Sequence, residues 1–82
     1  MNITEQMVFA AMEAGGTEAR AWGQFENRDG KVMVHDTLRP DVDAKTAERH
    51  VLDDRASAIG FVSFRVYKAA LAAALEAAEV KS

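Results

Sequence analysis

The stretch Phe61–Lys81, FVSFRVYKAALAAALEAAEVK, decides the fold of this chain. Seven of the ten residues from Ala69 to Ala78 are alanine, the strongest helix former, and no glycine or proline interrupts them. The sequence therefore predicts a closing helix, whose small side chains let a neighbouring element approach closely.

The first part of this stretch fits two secondary structures. Phe61–Tyr67 is rich in β-formers, and Val62, Phe64 and Val66 alternate as they would in a third strand. Val62, Val66 and Ala70 also continue a helical stripe into the alanine tract. We expect a helix here, with a third strand as the alternative.

Length, charge and cysteine content bound the class of protein. The 82 residues predict a single compact domain, residues 1–82, and the absence of cysteine excludes disulfides, thiolate metal ligands and a cysteine nucleophile. The formal net charge of −3 argues against unspecific nucleic-acid binding, which depends on clustered cations. The sequence shows neither an apolar run near the ~20 residues of a membrane span nor a secretory signal. We therefore expect a cytoplasmic protein without membrane contact.

The N-terminal region predicts a helix over Thr4–Ala14. Asn2 followed by Glu5 fits a capping box, Thr4 is a competing cap, and Gly15-Gly16 predicts the helix end. Apolar residues recur at helical spacing: Ile3, Met7, Val8, Ala11 and Met12.

A β-hairpin is predicted next, with strands over residues 19–26 and 31–37 around the turn Asn27-Arg28-Asp29-Gly30. A four-residue loop would place Glu26 opposite Lys31 and Phe25 opposite Val32. One face then suits burial: Ala21, Phe25, Val32 and Val34. The opposite face carries the remaining side chains: Arg20, Trp22, Gln24, Met33 and His35.

A second helix is predicted over Ala44–Ala58. Asp43 would cap it, and Gly60 would separate it from the final helix. Its inward side chains would be Ala47, Val51, Leu52 and Ile59. The predicted fold class is α+β, in the order helix, two-stranded antiparallel hairpin, then two helices.

The two ends of the chain carry a resemblance. Ile3–Ala11 and Tyr67–Ala78 resemble the opening and closing helices of small uncharacterised phage and prophage proteins. The hairpin and the second helix depart from that pattern. The resemblance implies a mobile-element origin, and such short acidic proteins often block a host enzyme or defence complex, as anti-CRISPR proteins do. It carries over no functional residue.

The chain shows no constellation for catalysis. His35 and His50 would need carboxylates such as Asp36, Asp53 and Asp54 to hold zinc, and we interpret them as surface histidines. Acidic residues cluster near the hairpin exit and are interpreted as turn and cap residues: Asp36, Asp41 and Asp43. We expect no enzyme activity, no metal and no cofactor.

The hairpin face with Trp22 is the predicted partner-binding site, since Trp, Met and Arg are enriched at interface centres. Its five residues are Arg20, Trp22, Gln24, Met33 and His35. The expected partner is a host protein or protein complex, with the protein itself a monomer or homodimer. In the alternative interpretation, Trp22 folds over the domain edge or contacts the last helix.

Two other functions stay open. A DNA-binding regulator would use Arg49 and Arg55 on the second helix. A homodimeric structural protein would pair through small residues of the last helix, although these could also pack within the monomer: Ala70, Ala73, Ala74 and Ala77.

Overall fold

A computed structural model describes residues 2–43 and 45–80 and shows an α+β fold, which confirms the predicted class. The five elements in chain order are α1 (Glu5–Ala21), β1 (Gly23–Glu26), β2 (Val32–His35), β3 (Arg49–Leu52) and α2 (Arg55–Val80). The three strands form one antiparallel sheet in the order β1-β2-β3. Ala44, where the predicted second helix would begin, and Lys81, where the predicted closing helix would end, lie outside the described residues.

Helix α1 begins as predicted but ends later. The Thr4 hydroxyl accepts a hydrogen bond from the Met7 amide at 3.2 Å, so Thr4 is the N-cap. The predicted stop at Gly15-Gly16 is wrong, because the helix continues to Ala21. Gly15 is buried where α1 meets α2, within contact distance of Ala70 and Val66, and a Cβ atom there would lie at an ordinary 3.5 Å from Ala70. Packing of α1 against α2 thus favours the helical conformation of Gly15 over a turn at this position.

The hairpin register differs by one residue from the prediction. Phe25 lies opposite Met33, and Glu26 lies opposite Val32. The reason is the turn: Asn27 pairs with Lys31, its side chain accepts the Lys31 amide at 3.0 Å, and Gly30 adopts φ +79°. Three residues therefore connect Asn27 to its partner Lys31. This is the common three-residue hairpin loop, in which a type I turn is followed by a residue in the left-handed conformation.

The predicted second helix is wrong. The described part of residues 44–58 contains turns, strand β3 and the first residues of α2. Asp43 caps a turn instead, accepting the Lys45 amide at 3.0 Å. In β3, His50 and Leu52 are half-buried while Arg49 and Val51 are exposed, so the segment alternates with the period of a strand.

Helix α2 is one continuous helix through Gly60, so the predicted break is wrong. The Asp54 carboxylate caps it by accepting the Ser57 amide at 2.7 Å, and this bond lowers the pKa of Asp54. Phe61–Tyr67 is helical, which confirms the helix and rules out the strand alternative.

The core lies where α2 crosses β2 and β3. Val32 and Val34 are buried there, as predicted. The core side chains come from both helices and the sheet: Ala21, Trp22, Val32, Val34, Ala58 and Val62. Beyond the sheet, the two helices continue antiparallel as a single layer, which we call the helical arm (residues 5–16 of α1 and 66–79 of α2). The molecule is accordingly long and thin, 51 × 27 × 13 Å.

Candidate protein-binding site

The structure encloses Trp22 within the chain. The residue is 6% exposed, its ring meets Phe61 edge-on at 5.4 Å, and its Nε1–H donates to the Glu18 carboxylate at 2.9 Å. The guanidinium of Arg65 lies 5.4 Å from the indole centre. The predicted exposure of Trp22 is therefore wrong, and the alternative in which it contacts the last helix is confirmed.

The other predicted binding residues are divided among three places. Arg20 is exposed in the last turn of α1. Gln24 is exposed on β1, on the same side of the sheet as Val34, with which it pairs. Met33 and His35 lie on the opposite side, which we call the outer sheet face. His35 is buried, so its predicted exposure is wrong, and Met33 is half-buried.

An apolar row crosses the outer sheet face. Phe25 pairs with Met33 and Met33 pairs with Val51, so the three side chains stand side by side on three strands. Phe25 is 55% exposed and Val51 is 64% exposed, because α2 covers only the other face. This row is the candidate protein-binding site. Its chemistry is apolar contact.

At the Phe25 end of this row, Gly23 leaves room for two stacked rings, those of Phe25 and His35. The Phe25 ring stacks flat on the His35 ring, with centroids 4.7 Å apart and an interplanar angle of 4°. A Cβ atom on Gly23 would lie 3.0 Å from His35 Cε1 and 3.2 Å from Phe25 Cε2, closer than ordinary contact. The His35 Nδ1 also hydrogen-bonds the Thr37 hydroxyl. The aromatic pair is therefore held in one orientation over the strand.

An ion-pair cluster (Glu18, Arg39 and Asp36) ties α1 to the segment after β2. Arg39 binds Glu18 with two parallel hydrogen bonds of 2.9 and 3.0 Å and lies 3.5 Å from Asp36. The bond from Arg39 lowers the pKa of Glu18, and the same bond raises the pKa of Arg39. Asp36 also accepts the Glu48 amide at 2.8 Å. The cluster fixes the loop that leads to β3.

The arginines of the DNA-binding alternative do not share a helix. Arg49 is in β3, whereas Arg55 opens α2 and pairs with Glu26 at 3.1 Å. Arg65 lies over the Phe61 ring and 3.7 Å from Glu48. The shared recognition helix on which that alternative depends is absent from the described chain.

Within residues 2–43 and 45–80, no cluster of three potential metal ligands occurs. In the same residues, every buried side-chain nitrogen or oxygen has a hydrogen-bond partner. His50 pairs with Glu48 at 2.7 Å, away from His35, which stacks on Phe25. The described residues thus bring together no group that resembles a metal centre.

The helical arm has two different sides. One groove between its helices is lined by alanines together with Glu13, Glu18 and Glu76. The other side is apolar, and its exposed side chains, together with Ile3 just before α1, form what we call the apolar arm face: Ile3, Val8, Met12, Tyr67, Leu71 and Leu75. By length and composition, Arg55–Glu79 of α2 could also cross a membrane, a test that core helices of soluble proteins pass as well.

Sequence reasoning missed Phe25 and Val51 as exposed residues. It placed Phe25 on the buried face through the one-residue register error, and Val51 inside a helix that does not exist. The pair Asn27 and Gly30 was the available signal, since it suits a three-residue loop.

No protein-family model matches this chain, and comparison with curated proteins and with solved structures finds no match.

Proposed function

We propose that this chain is a non-enzymatic, cytoplasmic protein-binding protein, an inhibitor or accessory factor of phage or mobile-element type. Its target is a bacterial protein or complex, such as a defence complex of the CRISPR-Cas kind. The resemblance of the terminal helices to phage proteins supports the choice of target. The outer sheet face supports the mode of action.

The observation that carries the proposal is the uncovered apolar row of Phe25, Met33 and Val51. A sheet usually buries one apolar face and leaves the other polar, so apolar side chains on the open face call for a second partner. A few residues near the centre of a patch supply most of the binding energy in protein interfaces, and Phe and Met are enriched in such interfaces. Phe25 and Met33 therefore stand at the expected centre of contact.

The surroundings of the row suit recognition. The stack on His35 holds Phe25 rigidly, which reduces the entropy lost when the ring meets a partner. Exposed charged side chains border one end of the row, at the hairpin tip and just after β3: Arg28, Asp29, Lys31 and Asp53. An apolar centre bordered by polar side chains is typical of a protein interface.

The test is capture from a bacterial lysate with immobilised protein, followed by mass spectrometry and titration calorimetry on each retained protein. The double variant Phe25→Ser with Val51→Ser removes two exposed side chains from the row. We expect it to lose the retained protein, with affinity at least about 100-fold weaker. Its circular dichroism spectrum should match the parent, because both side chains are exposed.

The matched control is Phe9→Ser, which removes an aromatic side chain of similar exposure from α1, far along the chain from the sheet. It should retain the partner with unchanged affinity. Equal capture by the parent and the double variant would reject the outer sheet face. Failure of the parent to retain any protein above the background of bare resin would reject the protein-binding function.

A further inference from the structure

We propose that the apolar arm face binds a second copy of this chain, so that two helical arms stack into a four-helix dimer. This inference is independent of the outer sheet face, which lies at the other end of the molecule and stays open in the dimer. The partner is identical, and the contact is a two-fold symmetric one in which the same patch meets itself.

The first argument is the missing second layer. Stable domains pack two layers of secondary structure around a core, and the sheet end does so. The arm consists of one layer of two helices, and large side chains on its apolar side are exposed. A second arm laid on the apolar arm face would complete the two layers.

The second argument is the amount of apolar surface. The six side chains of the apolar arm face are between 44% and 78% exposed. At ordinary side-chain areas they offer on the order of 500 Å² of apolar surface. A standard stable interface buries roughly 800 Å² on each partner, and the alanines and glycines between the six residues supply part of the remainder.

The third argument is the relief of this surface. Between its large edge residues, the groove is lined by Met7, Val66 and a run of small residues: Ala11, Gly15, Gly16, Ala70 and Ala74. Tyr67, Leu71 and Leu75 rise along one edge at spacings of four residues, which places them on one stripe of α2. Large side chains of one copy can therefore enter the small-residue groove of the other, as ridges enter grooves between packed helices.

Charge favours a second copy over a lipid surface. No Asp, Glu, Lys or Arg is among the residues that line the apolar groove, and Arg20, which lies beside Gly16 at one end, is exposed, so two copies meet along most of the groove without burying a charge. Helices that lie on anionic membranes flank their apolar face with Lys and Arg, whereas this chain carries a net charge of −3. If α2 crossed a bilayer with α1 beside it, Glu13, Glu18 and Glu76 of the opposite groove would enter the membrane.

The test measures molar mass by light scattering over a series of protein concentrations. The parent should approach the mass of two chains at high concentration. Leu71→Glu should raise the concentration at which half of the chains are dimeric by about 100-fold. Leu71 lies mid-way along the groove, so in the dimer the two introduced carboxylates would meet across the two-fold axis. Phe9→Glu is the matched control, since Phe9 is as exposed but lies outside the groove, and its dimer should persist.

A second measurement locates the contact. The chain has no cysteine, so Leu71→Cys and Phe9→Cys each carry one thiol. A short bis-maleimide should join two Leu71→Cys chains and leave Phe9→Cys chains single. A constant monomer mass, with or without binding to anionic vesicles, overturns the proposal. So does a dimer that Leu71→Glu leaves intact, or one that cross-links through Phe9→Cys alone.

Discussion

The two ends of this molecule are stabilised in different ways. At the sheet end, α2 closes over β2 and β3, Val34 is fully buried, and Glu18 with Arg39 ties the helix to the loop. Along the helical arm, the two helices touch through small side chains together with Met7 and Val66, and they leave most of their other large apolar side chains in solvent. The sheet end completes its own core, whereas the arm does not.

This contrast indicates where stability and association reside. A buried side chain contributes its full transfer free energy to the isolated chain, while an exposed apolar side chain contributes only when another surface covers it. Substitutions at the sheet end should therefore lower the stability of the single chain. Substitutions of exposed residues on the arm should leave it nearly unchanged.

The largest expected effect is that of Trp22→Ala. It removes the indole from the core, leaves a cavity beside Phe61 and breaks the hydrogen bond to Glu18. The expected loss of unfolding free energy is about 3–5 kcal/mol, much of the stability of so small a domain. Urea titration followed by circular dichroism measures it.

The control for Trp22→Ala is Phe9→Ala on the arm, where the ring is exposed. Its free energy of unfolding should change by no more than about 0.5 kcal/mol. Equal losses in the two variants would contradict the division between a self-contained sheet end and an incomplete arm.

The next effect is that of Glu18→Gln, which weakens both bonds to Arg39. Because these side chains are largely shielded from solvent, we expect a loss of about 1–3 kcal/mol at neutral pH. The pKa of Glu18 is lowered in the folded state. Its contribution is therefore complete above the ordinary pKa of glutamate, about 4.3, and is lost as pH falls through the lowered value.

The pH dependence supplies the check on that interpretation. Stability of the parent should fall in acid more steeply than that of Glu18→Gln, so the gap between them narrows as pH drops below about 4. Thermal unfolding at a series of pH values measures the gap. A gap that stays constant down to pH 2 would assign the loss to packing rather than to the ion pair.

Local signals in the sequence predicted much of the helical structure. The Thr4 cap and the alanine tract of α2 depend on residues close in the chain, so both were visible. The continuation of α1 through Gly15 was not visible, because it depends on contact with Val66 and Ala70 about fifty residues later. A glycine pair looks the same whether or not a distant helix covers it.

The candidate site was harder to predict, because it depends on which face α2 covers. The burial of Val32 and Val34 was predicted correctly, yet a shift of one residue in register exchanged Phe25 for Gln24 beside them. Strand β3 has only four residues, too few for its alternation to outweigh a helical interpretation of the segment. Without β3 in view, the row that ends at Val51 could not be assembled from the sequence.

The smallest expected effects compare one substitution in the two regions. In the arm, Gly15→Ala places its Cβ 3.5 Å from Ala70 and Val66, an ordinary contact, and removes the entropic cost of glycine in a helix. We expect it to stabilise the chain by about 0.5–1 kcal/mol.

At the sheet end, Gly23→Ala brings its Cβ to 3.0 Å from the His35 ring, which is already fixed beneath Phe25. That ring must shift, so we expect a loss of about 1 kcal/mol and altered aromatic NMR signals of Phe25. The opposite signs follow from packing alone, since both substitutions add the same methyl group. If both variants gained stability, the aromatic stack at the sheet end would be looser than its distances indicate.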